Sequence, residues 1–334
     1  MSEAYQNLIP PHPRVRLTSL PSPLERATGL EDALRAEGAK SVPRLYLKRD
    51  DLLSLGLGGN KIRNLEFSIA RALDEGATDV ITSGRQQSNH CRLTAAACAR
   101  TPLSAHLVFS GDRPATLTGS LLLDELLGAK TYFCGSADRS ARAKWVDLVA
   151  FGIEAFGRRP HVIPVGGSDA RGALGHVLAA AELLDQLKTL GERPGAIVLA
   201  TATGGTQAGM LAGLAKLGVA VPVYGYAVAK SANDLRADVL RLAAEVAADI
   251  EGPPVDSSLI HLDGAMLGGG YGNSTPEAEA AIRLLARTEG VFADPVYTGK
   301  ALAGLLALIR DARFGSDEAV VFVHTGGAPA LFAA

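Results

Sequence analysis

Gly58-Gly59-Asn60-Lys61 runs directly into Ile62, Leu65, Ile69 and Leu73, apolar residues at helical spacing that give residues 61–73 one apolar face. Lys61 therefore stands in the first turn of a helix, where the helix dipole is positive and a cation is disfavoured. A lysine held there and partly desolvated has a depressed pKa and serves as an amine nucleophile or imine former. A solvated lysine after a glycine turn is the alternative reading of the same four residues. The rest of the chain decides between them.

The chain has 334 residues, enough for a large core and about two domains. Its hydrophobic content of 47% with 20% charged residues is that of a soluble globular enzyme. A formal charge of -2 provides no field for nucleic acid or an anionic membrane surface. The seven histidines are scattered and none pairs at metal-ligand spacing, so no metal is expected. Cys91, Cys98 and Cys134 form no CxxC pattern and read as reduced thiols, the first two on one core-facing helix side. The N-terminus lacks a basic start and an apolar signal core, and no apolar run approaches a bilayer span. A cytoplasmic location is the expectation.

Short apolar runs alternate with helical patterns. Strands are predicted over 44–48, 79–82, 105–109, 161–165, 196–200, 221–227 and 319–323. Helices are predicted near 61–75, 87–100, 117–128, 170–190, 205–217, 231–248, 276–289 and 298–311. Strand runs that are apolar throughout point to parallel sheets with helices on both faces, an α/β fold. The proline-rich opening (Pro10, Pro11, Pro13, Pro21, Pro23) reads as an extended arm, and 251–275 as a long irregular active-site loop. Glycines cluster near 55 and 165. They suggest one domain inserted in another, 58–165 within 1–57 and 166–334.

Several polar clusters fall where strands end and helices begin, the place where open α/β sheets bind ligands. Thr203-Gly204-Gly205-Thr206 follows an apolar strand and opens a helix. Glycines that admit an anion, hydroxyl donors and a helix N-terminus together form a phosphate cup, although the spacing is neither P-loop nor GxGxxG. An ordinary strand-to-helix turn is the competing reading. Gln87-Ser88-Asn89-His90 holds four hydrogen-bonding side chains where capping needs only Ser88, so a ligand contact is expected among them. Asp294-Pro295-Val296-Tyr297-Thr298-Gly299-Lys300 precedes a helix, and His324-Thr325-Gly326-Gly327 follows a strand. Gly268-Gly269-Gly270-Tyr271-Gly272 places a tyrosine on a loop. Taken singly, His90, Tyr271 and Tyr297 are as well explained by packing.

In this order, and with Lys48-Arg49-Asp50-Asp51 and Pro164-Val165-Gly166-Gly167-Ser168, these segments resemble the fold-type II pyridoxal-phosphate (PLP) enzymes from about residue 14 to the end. That tryptophan-synthase-β-like group builds two parallel-type α/β sheets with helices on both faces. The nearest resemblance is to the branch holding D-cysteine desulfhydrase, L-cysteate sulfo-lyase and 1-aminocyclopropane-1-carboxylate (ACC) deaminase. The resemblance implies that Lys61 carries the Schiff base to pyridoxal 5'-phosphate and that Thr203, Gly204, Gly205 and Thr206 hold its phosphate. Asn89 would sit beside the ring 3-oxygen, with Thr298 and Thr325 toward the ring nitrogen. Ser88 would bind the substrate carboxylate or move a proton, with Gln87 and His90 around it, and Tyr271 and Tyr297 would flank the substrate. A homodimer is implied.

In the ACC deaminase pattern a glutamate follows the tyrosine and an apolar residue matches Thr325. Here Thr298 and Thr325 occupy both positions, as in the desulfhydrase branch. A neutral hydroxyl does not hold the ring nitrogen protonated as a carboxylate does, so the electron sink is weaker. Such a site favours substrates with a good β leaving group. The expected reaction is β-elimination, most simply D-cysteine to pyruvate, hydrogen sulfide and ammonia. Lys61 or a tyrosine would take the α proton, and a Ser88 relay stays open. L-cysteate sulfo-lyase, an ACC-type deaminase and a catalytically silent PLP-binding protein are the alternatives. Arg85 and Gln86 depart from the small or apolar residues usual before Gln87. Arg85 would reach an anionic substrate group or pair with an acid at a dimer interface.

Overall fold

The computed structural model describes residues 8–333. In chain order its elements are β1 (Leu24–Arg26), α1 (Thr28–Ala36), β2 (Arg44–Arg49), α2 (Lys61–Asp74), β3 (Asp79–Gly84), α3 (Asn89–Ala99), β4 (Ser104–Phe109), α4 (Gly119–Leu126), β5 (Lys130–Phe133), α5 (Arg139–Ala155) and β6 (Pro160–Val162). They continue with α6 (Ala170–Thr189), β7 (Pro194–Thr201), α7 (Gly205–Lys216), β8 (Val223–Ala227), α8 (Ala232–Asp249), β9 (Ile260–Asp263), α9 (Pro276–Glu289), α10 (Thr298–Arg310) and β10 (Ala319–His324).

Two sheets result. The six-stranded sheet has the order β1-β2-β10-β7-β8-β9, and the four-stranded sheet β5-β4-β3-β6. All pairings are parallel except that of β1 with β2. The central strands β3 and β10 are buried at every position; β10 reads as an apolar run over Ala319–Val323, while β3 is apolar only at Val80 and Ile81 and buries Asp79, Thr82 and Ser83 as well. Every strand of the smaller sheet lies between residues 79 and 162, and those of the larger sheet flank that stretch on both sides.

Helix α2 joins the two halves. Its Ile62, Leu65 and Ile69 pack with Val80, Leu107 and Phe109 of the small sheet, while Phe67 packs with Leu174 and Val177 of α6. A helix apolar on two sides is fixed on two sides, and its first residue is Lys61. The proline-rich arm lies across the same helix. Leu17 joins the small-sheet core, and the Val15 amide donates to the Glu66 carbonyl at 2.9 Å. Cys91 and Cys98 are buried in that core as expected from their spacing.

Strands β1, β5 and β9 and helices α1 and α5 have no counterpart in the sequence reading. β1, β5 and β9 are edge strands of three or four residues with half-exposed side chains, too short and mixed for a periodic signal. β9 also lies inside 251–275, which is therefore not irregular throughout. Helix α5 buries only four of its seventeen residues, so its apolar stripe is thin. The strand expected over 161–165 ends at Val162, and Val165–Gly167 forms a tight turn instead.

Candidate active site

The turn before α2 is a backbone construction. Gly58 has φ 74°, and a Cβ there would lie 1.8 Å from the Asp51 carbonyl oxygen, so only glycine fits. The Gly59 amide donates to the Asp50 carbonyl at 2.9 Å and the Asn60 amide to the Thr325 carbonyl at 3.1 Å. Asn60 Nδ2 donates to Thr206 Oγ1 at 2.9 Å. The ends of β2 and β10 and the start of α7 thus converge on Gly59 and Asn60, the two residues before Lys61. Lys61 Nζ donates to the Gly166 carbonyl at 2.8 Å, and burial lowers its pKa to about 8. Desolvation, one of the two causes read from the sequence, accounts for that shift.

Opposite lies the turn after β7. Gly204 adopts φ 91° as N-cap of α7 and supplies no capping side chain, so the first amides of α7 are left for an acceptor from outside the helix. The Thr206 hydroxyl is taken by Asn60 and lies 3.3 Å from His176 Nε2, which leaves its backbone amide for an anion. A Cβ at Gly166 would come within 2.5 Å of Thr203 Oγ1, and one at Gly205 within 2.8 Å of Ser168 Oγ. The cradle therefore stays open only because it is lined by glycine. The two turns face one cavity of about 220 Å³, in whose lining there is no Asp or Glu.

Ser88, Asn89, His90, Tyr271, Tyr297 and Thr325 line the same cavity as Lys61 and Thr203–Thr206. Ser88 caps α3 by accepting from the Cys91 amide at 3.2 Å. Asn89 Oδ1 accepts from the buried Arg92 at 3.1 Å, which fixes the amide and turns its NH₂ group away from Arg92. Thr82 Oγ1 donates to the Ile163 carbonyl, so the His90 Nε2 beside it at 2.9 Å carries the proton. His90 Nδ1 is then a buried acceptor without a partner, and burial lowers the ring pKa to about 3, so it stays neutral. The hydroxyls of Tyr271 and Tyr297 are hydrogen-bonded to each other, and burial raises both pKa values. They are neutral phenols that share a proton path.

Two expected site residues are not brought into the cavity. Gln87 turns to α4, donating to the Thr118 carbonyl at 3.2 Å and accepting from the Ser120 amide at 2.8 Å. Thr298 is fully buried beneath the site. Its hydroxyl donates to Asp294 Oδ1 at 2.7 Å and accepts from the Asp294 amide at 2.8 Å. Of the two threonines only Thr325 faces the cavity. Asp294 escaped the sequence reading as a functional residue, yet its carboxylate accepts from the amides of Val296, Tyr297 and Thr298 and so sets the position of Tyr297. An aspartate four residues ahead of a helical threonine is the signal that pointed to it. Arg139 and Arg142 on α5 were also missed, and both line the cavity with Arg85.

The donor set suits an anionic aldehyde cofactor: a desolvated amine, a glycine cradle capped by free helix amides, and no competing carboxylate. Residues 15–326 match the family model described as pyridoxal-phosphate dependent enzyme. The chain is 40% identical over 329 residues to D-cysteine desulfhydrase of Salmonella typhi and 41% over 328 residues to that of Klebsiella pneumoniae (strain 342), covering 96% of each partner in both cases. Among solved structures it is similar to one described as an ACC deaminase homologue, with TM-score 0.89 and 33% identity over 100% of this chain and 97% of that one. Serine racemase from Dictyostelium discoideum shares the fold at TM-score 0.63 and 18% identity, over 92% of both chains.

Proposed function

We propose that this chain, which belongs to the pyridoxal-phosphate dependent enzyme family and uses that cofactor, is a carbon-sulfur lyase acting by β-elimination, with D-cysteine as its reference substrate. The observation that carries the reading is Lys61 Nζ, desolvated in an acid-free cavity whose ring-facing candidate is the neutral hydroxyl of Thr325. When bound, the cofactor supplies an electron sink next to Cα, which lets a β substituent leave with its bonding electrons.

The chain's own residues do the rest. Lys61 anchors the cofactor through its amine, and the amides of Gly205 and Thr206 hold the phosphate. Asn89, in the cavity lining, would meet the ring 3-oxygen. The amides at the start of α3, beside Ser88, take the substrate carboxylate. Lys61, whose amine burial holds at a pKa of about 8, would take the proton from Cα. The Tyr271–Tyr297 pair passes a proton to the departing sulfur. D-cysteine and water thereby yield pyruvate, ammonium and hydrogen sulfide.

We assign 58–165 as a smaller domain inserted between 1–57 and 166–334, closing over the site. The segregation of the four-stranded sheet into 79–162 supports this. A homodimer in the cytoplasm completes the proposal. Exposed Leu52, Leu57, Leu122, Phe292 and Phe332 border one apolar groove suited to a second copy, and Cys91, Cys98 and Cys134 are unpaired thiols.

Holoenzyme given D-cysteine should release hydrogen sulfide and pyruvate in equal amounts. Production of 2-oxobutyrate from ACC with no activity on β-substituted alanines would replace the lyase with a deaminase. A bound cofactor whose spectrum no amino acid changes would leave only a binding protein.

A further inference from the structure

The lyase reading leaves one part of the cavity unexplained. Arg85, Arg139 and Arg142 all line it, and its lining holds no acidic residue. Some arginines elsewhere are matched by acids, while others, such as Arg92 and Arg236, bond only to amide or carbonyl oxygens. Arg63 is bonded to Asp50 and Glu182, Arg44 to Glu192, and Arg158 to Asp79. Neither Arg85, Arg139 nor Arg142 has such a partner among the described residues. Arg142 is 7% exposed, and its one side-chain hydrogen bond runs from Nη1 to Ser110 Oγ at 2.7 Å, leaving the rest of its fork free. The Arg85 guanidinium carbon lies 5.2 Å from the centre of the Tyr271 ring, a stacking that holds it at the cavity beside a site tyrosine. Burial lowers the Arg142 pKa, and the positive charges of Arg139 and Arg85 act in the same direction.

Their placement separates them from the cofactor phosphate. Arg85 follows β3, Ser110 follows β4, and Arg139 and Arg142 sit on α5, all on the four-stranded side. The phosphate turn belongs to β7 and α7 on the six-stranded side, and the start of α3 provides for the substrate carboxylate. A further anion is what remains to fill a site with three unmatched guanidiniums.

We propose that Arg85, Arg139 and Arg142 form a subsite for a second oxyanion carried at Cβ of the substrate, a sulfonate, sulfinate or phosphate. This rests on the β-elimination reading and narrows its substrate class. With a sulfonate, the Cα proton is lost, the Cβ–S bond breaks, and sulfur departs with the bonding pair as sulfite. The three-carbon enamine takes up the proton and water to give pyruvate and ammonium. No oxidant or reductant enters. The arginines hold the group in the ground state and stabilise the charge that builds on it as it leaves.

The test compares both enantiomers of cysteate, cysteine sulfinate and O-phosphoserine with D-cysteine and β-chloroalanine, whose β substituents are uncharged near neutrality. The wild-type holoenzyme should favour at least one oxyanionic substrate in kcat/KM by about tenfold or more. Arg85→Gln and Arg142→Gln should each lower the ratio of that substrate to β-chloroalanine by roughly tenfold to hundredfold, the worth of a hydrogen bond to a charged group. Which oxyanion wins identifies the leaving group. A lyase active on D-cysteine with no arginine-dependent preference overturns the subsite, as does loss of bound cofactor in both variants, which would assign the arginines to its phosphate. A second readout is titration of the cofactor absorbance with cysteate. Arginine-dependent binding in a protein that eliminates nothing sustains the subsite and sinks the lyase reading.

Discussion

Two lysines thirteen residues apart, Lys48 at the end of β2 and Lys61 at the start of α2, the first buried and the second half-buried in the cavity wall, meet opposite surroundings. Lys48 Nζ donates to Glu182 Oε1 at 2.5 Å, Gln186 Oε1 at 2.6 Å and the Ser22 carbonyl at 2.8 Å. Around it Arg63 forks onto Asp50 at 2.8 and 2.9 Å and reaches Glu182 at 2.8 Å. Every charge there has a counter-charge, which holds Asp50 down at a pKa of about 2 despite its burial, chiefly through Arg63. Lys61 has a carbonyl and no acid. Burial with pairing gives a fixed ion cluster, and burial without it gives an amine that gives up its proton near neutrality. The two are coupled through α2: the ion cluster pins Arg63, two positions beyond Lys61, and so fixes where the reactive amine sits.

The largest effect expected from breaking this contrast is at the unpaired member. Lys61→Ala removes both the anchor and the proton carrier, and turnover of D-cysteine should fall by at least about a thousandfold. Retained multiple turnover, measured as pyruvate per active site, would move the chemistry to another residue. The paired region should respond in stability instead. Glu182→Gln leaves Lys48 and Arg63 short of a carboxylate in a buried setting and should cost about 3–5 kcal/mol, read from denaturant unfolding. A loss under about 1 kcal/mol would mean that water already compensates the cluster.

The same contrast explains what was legible in the sequence. The Lys61 turn, the Thr203–Thr206 turn and Ser88–His90 were readable because each is a local pattern of glycine or hydroxyl residues between an apolar run and a helical one. The core strand β10 was readable because Ala319–Val323 is apolar throughout. The ion cluster was not, since Lys48 and Glu182 are 134 residues apart and nothing local marks their pairing. Thr298 was misplaced for a related reason: sequence put it next to Tyr297, but Asp294 draws its hydroxyl below the site. Arg139 and Arg142 were lost with α5, whose Asp138 cap and Val146, Val149 and Ile153 spacing were the available signals. Gln87, which the family resemblance put around the substrate, is instead bonded to the start of α4.

The smallest effect is the sharpest test of the comparison, because it asks whether Lys61 costs the fold something. In the cofactor-free protein its pKa is lowered from 10.5 to about 8, with desolvation as the cause. Below about pH 8 the amine is protonated in both folded and unfolded states, so the penalty of a buried unpaired charge is fully present. Between pH 8 and 10.5 the unfolded chain binds the extra proton and the folded one does not, so stability rises with pH across that window. Lys61→Met should therefore stabilise the cofactor-free protein by about 1 kcal/mol at pH 7. That difference should shrink toward zero as pH climbs through the same window in matched urea titrations. Burial lowers the Lys48 pKa as well, but its carboxylate partners make removal of the side chain costly rather than favourable. Lys48→Met strands Glu182 beside Arg63 alone and should destabilise at pH 7. A stabilising Lys48→Met or a destabilising Lys61→Met would mean that pairing does not divide the structural lysine from the reactive one.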